Sequence, residues 1–222
     1  MPANNNAIIC FDFETGGVDH QVHEPLSLAA IAIDPRRLVQ YPNGEFKETL
    51  MRPPGDEKDW KIEAKALEIN SIKIEDVRNA MPRAEVWKEF ARFVNKYNPK
   101  GLPTSAPIPA GQNIKNFDLH IAERLCRENN ILNRDKKPFL FNQRNQLDLV
   151  DITFLWFENN DELANHKMDT LRDYFSITKD GAHSAMVDVK QTADLIVRFM
   201  KLHRKLFPSI PFKGSFAKPS TN

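Results

Sequence analysis

Asp12 and Glu14 stand two residues apart in an otherwise apolar run, 7–13 and its end. If that run is a strand, period two puts both carboxylates on one face and Phe11 and Phe13 on the other. Two like charges on such a strand cost free energy unless something positive lies between them. The plainer reading is a strand end that splays two acids into water. Asp118 shares a helical face with Ala122 and Leu125, at i, i+4 and i+7, and is therefore aimed at the core side. Asp188 shares a face with Ala185 and Leu195. For both, the plainer reading is a first-turn acid favoured by the helix dipole, worth about 0.3–1 kcal/mol. His183 precedes Asp188 by five residues, about 140° off its face, so it belongs on the preceding loop and reaches inward from there. Four carboxylates and a histidine of this kind suit a hard cation, Mg²⁺ or Mn²⁺, better than zinc. Two such ions about 3.5–4 Å apart can activate a water and stabilise the leaving oxygen of a phosphodiester. A histidine near its ordinary pKa, about 6.5, could take the proton.

The elements that must position these groups follow from the pattern. Residues 7–13, 26–33 and 46–50 read as strands, with turns at Asp34-Pro35 and Asn43-Gly44. The Asn-Gly pair is a hairpin signal, so the opening section reads as a three-stranded meander. Helical spacing then takes over at 62–67, 74–78 and 84–97. A proline-rich loop, 99–109, ends in a short strand at 108–110, although Pro109 weakens that assignment. A helix over 117–129 follows, with Asn116 as its cap. Residues 146–157 begin as a strand or helix edge, 170–175 form a short helix and 184–206 a long one. Strands first, then helices alternating with short strands, predict a mixed sheet flanked by helices. The expected division is a domain over 1–206 and a flexible tail over 207–222.

The chain has 222 residues, with 31 basic and 30 acidic side chains and a formal charge of +1. That length suits a single α/β domain. Near-neutral charge excludes a broad electrostatic grip on nucleic acid, so contact with a polyanion must be local. Two cysteines, Cys10 and Cys126, are too few for a disulfide framework and read as reduced core thiols in a cytoplasmic setting. The first residues lack a signal-peptide pattern, and no apolar stretch approaches the roughly 18 residues of a membrane span, which leaves no membrane partner to expect.

Phe11-Asp12-Phe13-Glu14-Thr15-Gly16-Gly17 resembles the first motif of the DnaQ-like, DEDDh-type 3′-to-5′ exonucleases. Gly111-Gln112-Asn113 with Phe117-Asp118 resembles the second, and His183 to Asp188 matches the third, H-x4-D. Leu147-Asp148 and Met168-Asp169-Thr170-Leu171 resemble intervening segments, so the likeness runs from residue 7 to about 200. It implies an RNase H-like α/β fold with a five-stranded mixed sheet flanked by helices. It also implies two divalent cations, Mg²⁺ or Mn²⁺, held by Asp12, Glu14, Asp118 and Asp188, with His183 as general base. Thr15 and Gly16 would lie beside the terminal nucleotide, and Leu67 or Ile69 would wedge against its base. For these two the plainer reading is core packing. Asn113 enters as a substrate contact, although counting back from Phe117-Asp118 without a gap puts it at the family's histidine position.

The implied activity is hydrolysis from the 3′ end of single-stranded nucleic acid, DNA ahead of RNA, releasing nucleoside 5′-monophosphates. The alternatives are an RNA-trimming enzyme similar to RNase T or oligoribonuclease, and a non-catalytic binding module serving a polymerase or other replication partner. A haloacid-type phosphatase is disfavoured, because Asp12-Phe13-Glu14 lacks the second aspartate of D-x-D. Asp148 and Asp151 could extend the acidic site, but Asp148 reads better as a backbone acceptor. Lys136-Lys137 and Arg204-Lys205 read as solvated surface, and Phe139, Phe141, Trp156 and Phe157 as core.

Overall fold

The structure, a computed structural model, describes residues 6–181 and 184–210. Strand β1 (Ile8–Thr15) pairs antiparallel with β2 (Pro25–Asp34), and β2 pairs antiparallel with β3 (Val39–Arg52). This is the expected meander. After α1 (Ala64–Ile69) and α2 (Ile74–Asn79), the two-residue strand β4 (Met81–Pro82) runs parallel to the end of β3. Helix α3 (Arg83–Asn95) leads to β5 (Ile108–Gly111), which lies parallel to β1. Helix α4 (Asp118–Glu128), β6 (Leu147–Asp148), α5 (Leu149–Phe157), α6 (Met168–Tyr174) and α7 (Ala185–Leu206) complete the order.

The sheet runs β4-β3-β2-β1-β5-β6 and has six strands, not the expected five. The sixth is β4, whose two residues are too few to show any alternation in the sequence. Pro109 is tolerated because β6 pairs only with Ala110 and Gly111, so a missing N–H at Pro109 faces no further strand.

Alternation along β1 divides the interior. Ile9, Phe11 and Phe13 pack with Trp87 and Phe90 of α3 and with Ile121 and Leu125 of α4. Ile8 and Cys10 face the other way, into a cluster with Leu149 of α5, Leu171 of α6 and Val189 and Ile196 of α7. Covered on both faces, β2 is buried at every position. The C-terminal end of β1 is thus held between two helical layers, and whatever its last residues carry must point into the gap between elements.

Two local expectations fail. Asn43-Gly44 is not the hairpin turn: β3 runs through it, and the chain reverses at residues 35–38. Between Ile31↔Glu45 and Ile33↔Gln40 the strand bulges, with Asn43 at φ 54°. A side chain at Gly44 would meet the Tyr41 carbonyl oxygen at 2.7 Å, so the Asn-Gly pair serves a bulge rather than a turn. Nor does Asn116 cap α4. The residue before the helix is Phe117, and the Asn116 amide donates to Asn113 Oδ1 at 3.0 Å. Asp148 pins this loop by accepting from the Asn113 and Lys115 backbone N–H groups, and so sets where Asn116 can reach. Three helices are displaced from expectation: α1 starts two residues later than 62, α3 closes at Asn95 and α6 opens at Met168, two residues before 170. Helix α7 ends at Leu206 and Phe207–Ser209 add one 3₁₀ turn, while 211–222 lie outside the described residues.

Candidate active site

Asp12 and Glu14 follow Ile8 and Cys10 on the β1 face that meets α7. There they find Asp188, in the first turn of α7, and one oxygen from each of the three carboxylates lies within 4.8 Å of the others. The close approach of α7 is visible at its next residue, where Cys10 Sγ lies 3.7 Å from the Val189 carbonyl oxygen. Asp118 arrives from the opposite layer. Its Oδ1 accepts from the Phe13 backbone N–H at 3.1 Å, beyond the last β1–β5 pair at Cys10↔Ala110. A strand donor without a neighbouring strand needs such an acceptor. Glu14 is 8% exposed, not splayed into water as the plainer reading had it, and Asp118, in the first turn of α4, is 3% exposed.

Four carboxylates so close repel one another, and their proton affinities register it. Burial holds Asp12 far above the ordinary carboxylate range, with the charges of Asp118, Glu14, Asp188 and Glu48 adding to it. Glu14 is pushed up to about 8 by burial and then by Asp188, Glu48 and Asp118. Asp118 rises to about 7 through burial, opposed by the hydrogen bond from the Phe13 N–H. Among the described residues Asp12, Glu14 and Asp118 make no ion pair, whereas Asp188 pairs with Arg172. An all-oxygen donor set with this unrelieved repulsion fits a hard divalent cation, which would hold the same carboxylates ionised.

The remaining predicted residues fall around this centre or apart from it. His183 lies outside the described residues. Thr15 ends β1, and its carbonyl accepts from the Asn70 amide at 3.0 Å. Gly16 donates to the Glu24 carbonyl at 2.8 Å and accepts from the Glu63 N–H at 2.7 Å. A side chain at Gly16 would sit 2.9 Å from the Lys61 carbonyl oxygen, so only glycine allows this approach. Helix α1 buries none of its residues, and Ile69 is 47% exposed rather than packed in the core, while Leu67 is half-buried. Asn113 is exposed at φ 55°, its side chain engaged by Asn116 and its backbone by Asp148.

Asp148 is the backbone acceptor that it reads as, capping α5 through the Val150 N–H, and Asp151 pairs with Lys115. Arg204 donates to the Arg36 carbonyl. Phe141 is buried and stacks on Phe11 at 4.9 Å, but Trp156 is 39% exposed.

Two contributors went unnoticed in the sequence. Glu48 of β3 accepts from the Ser184 hydroxyl at 2.6 Å and the Met186 N–H at 3.3 Å, and so caps the helix that carries Asp188. Arg172 of α6 is buried against Asp188 itself. Neither has a local signal, because each depends on strand register or on the packing of one helix against another.

An exonuclease family model matches residues 9–196 of the chain. No curated protein sequence matches it. Among solved structures, Escherichia coli Exonuclease I in complex with a dT13 oligonucleotide superposes with a TM-score of 0.72 at 19% identity, covering 92% of this chain and 43% of that one. The zinc-bound E. coli ExoI–ssDNA complex gives 0.69 at 18%, covering 93% and 43%. Exonuclease I from Methylocaldum szegediense gives 0.64 at 18%, covering 95% and 44%. The chain spans less than half the length of each. At these identities the likeness establishes the fold, which is RNase H-like.

Proposed function

We propose, from the premise that the chain belongs to the DnaQ-like exonuclease family, that it is a metal-dependent 3′-to-5′ exonuclease of single-stranded nucleic acid, acting on DNA ahead of RNA. The observation that carries this is the convergence of Asp12, Glu14 and Asp188 from two distant segments to within 4.8 Å. Single-stranded DNA comes into the proposal from the oligonucleotides bound by the Exonuclease I structures.

In this reading Asp12, Glu14, Asp118 and Asp188 would together hold two divalent cations, Mg²⁺ or Mn²⁺. Cations so placed lower the pKa of water and stabilise the charge that develops on the leaving oxygen of a phosphodiester. The protein's own part is threefold. The carboxylates give up the protons that burial favours, and so couple cation uptake to ionisation. His183 takes the proton from the attacking water as general base and hands it on to solvent. Thr15, tied to the Asn70 side-chain amide at the end of α1, and Gly16, tied to the Glu63 backbone N–H at its start, place the terminal nucleotide, and Ile69 or Leu67 of α1 packs against its base. The product is a nucleoside 5′-monophosphate and a strand one nucleotide shorter.

Incubating 5′-labelled single-stranded DNA and RNA with the chain and Mg²⁺ or Mn²⁺ tests the proposal. The expected product is a ladder shortening from the 3′ end, faster on DNA, and stopped by chelator. A ladder faster on RNA would move the reading to an RNA-trimming enzyme. No cleavage of either would make the chain a binding module.

A further inference from the structure

The side chain of Arg172 is 1% exposed, yet three of its nitrogens are engaged. Nε donates to Gln191 Oε1 at 2.8 Å, Nη1 to Asp169 Oδ1 at 2.7 Å and Nη2 to Asp188 Oδ1 at 2.5 Å. Leu171, its neighbour on α6, belongs to the apolar cluster under α7. Replacing a buried ion pair with packed hydrophobic residues is often neutral or stabilising, so stability alone does not account for a guanidinium here.

Among the described residues it is the one cation paired with the acidic centre, and of that centre's carboxylates it binds Asp188, through Oδ1. A guanidinium is planar, and its fork fixes direction as well as charge. Bound at Oδ1, it takes up one of the two Asp188 oxygens and restricts rotation of the carboxylate. The same side chain reaches the next turn of α7 at Gln191, whose amide donates to the Thr178 carbonyl at 2.9 Å. The Arg172 carbonyl accepts from the Ile177 N–H at 2.8 Å. Arg172 therefore joins α6, the start of the segment that follows it, and two successive turns of α7.

We propose that Arg172 is a positioning residue that fixes the Asp188 carboxylate so that it offers one oxygen, not two, to a divalent cation. This rests on the reading of the acidic centre as a cation site. Partners that orient a ligand in this way commonly change metal affinity or activity by about 10–100-fold when removed.

The test is calorimetric titration of the full chain with Mn²⁺, alongside kcat and KM on an oligonucleotide. Arg172→Lys keeps the charge but loses the fork. It should weaken Mn²⁺ binding about 10–100-fold and lower kcat, with KM held within about twofold. Gln191→Ala removes the Nε acceptor at a partly exposed site and should weaken Mn²⁺ binding about tenfold, the bottom of that range. A folded Arg172→Lys that binds Mn²⁺ as tightly as wild type overturns the proposal. If that variant does not fold, wild-type affinity in Gln191→Ala overturns it instead. Failure of the wild-type chain itself to bind Mn²⁺ would remove the cation-site reading, an outcome distinct from unchanged variants on a wild type that binds.

Discussion

Two buried charge clusters in this molecule are handled in opposite ways. At the start of α3, Arg83 is 10% exposed and pairs with Glu24 and with Glu128, the latter at 2.9 Å, so the chain supplies both signs itself. At the end of β1, four carboxylates meet and, among the described residues, one guanidinium, shared between Asp188 and Asp169. The first arrangement is complete within the chain and holds β2 to α3 and α4. The second is stable as a set of anions only with cations from outside, and that makes it a place for chemistry rather than for structure.

The contrast breaks first at Asp12. Asp12→Ala or Asp188→Ala should lower turnover at least about a thousandfold, since cation stabilisation of a transition state is worth several kcal/mol. The fold should remain in both, and Asp12→Ala should melt in chelator no lower than wild type, because a source of repulsion is gone, whereas Asp188→Ala also strands the Arg172 guanidinium and should melt lower. Initial rates on end-labelled single-stranded DNA, with melting curves alongside, check both halves. Next in size, His183→Ala should slow hydrolysis by about 10²-fold or more, the usual contribution of a general base, with Mn²⁺ affinity unchanged; an unchanged rate would make it a bystander.

At the other cluster the pattern inverts. Arg83→Ala should cost about 2 kcal/mol of stability, below the 3–5 kcal/mol of a fully buried pair because Glu128 is 39% exposed. That corresponds to a fall of roughly 4–8 °C for a chain of this size, with kcat within about twofold of wild type.

The smallest effect separates the clusters by pH. Glu14 at about 8 and Asp118 at about 7 lie above the ordinary carboxylate value, so the folded metal-free chain holds protons that the unfolded chain has lost. Their stabilising contribution is complete below the unfolded value, about 4, and is lost as pH rises through 7 and 8. In chelator the thermal midpoint should therefore fall by a few degrees between pH 5.5 and pH 9, and added Mn²⁺ should restore more at pH 9. A midpoint flat across that range in chelator would mean that the carboxylates are not strained.

The acidic centre was legible because its parts obey short-range periods. Period two along β1 put Asp12 and Glu14 together, and i, i+4, i+7 spacing turned Asp118 inward, each against apolar neighbours that made the charge conspicuous. What aligns across the sheet was not legible. Glu48 looks like any exposed strand glutamate until the β2–β3 register sets it beside Ser27, across from the start of α7. Arg172 looks like a surface helix arginine until α6 packs against α7. Asn43-Gly44 misled because positive φ serves a bulge as readily as a turn. The strand β4 was missed because two residues carry no period. Core packing was the plainer reading of Ile69, whereas α1 is held to Thr15 and Gly16 by hydrogen bonds and leaves Ile69 exposed.

A crystal of the chain soaked in Mn²⁺ and measured at the manganese absorption edge tests the central claim most directly. Anomalous density between the carboxylate oxygens of Asp12, Glu14 and Asp188, absent from an Asp12→Ala crystal treated identically, is the expected result. Manganese bound only elsewhere on the molecule, with those three side chains still protonated and in contact, would contradict it.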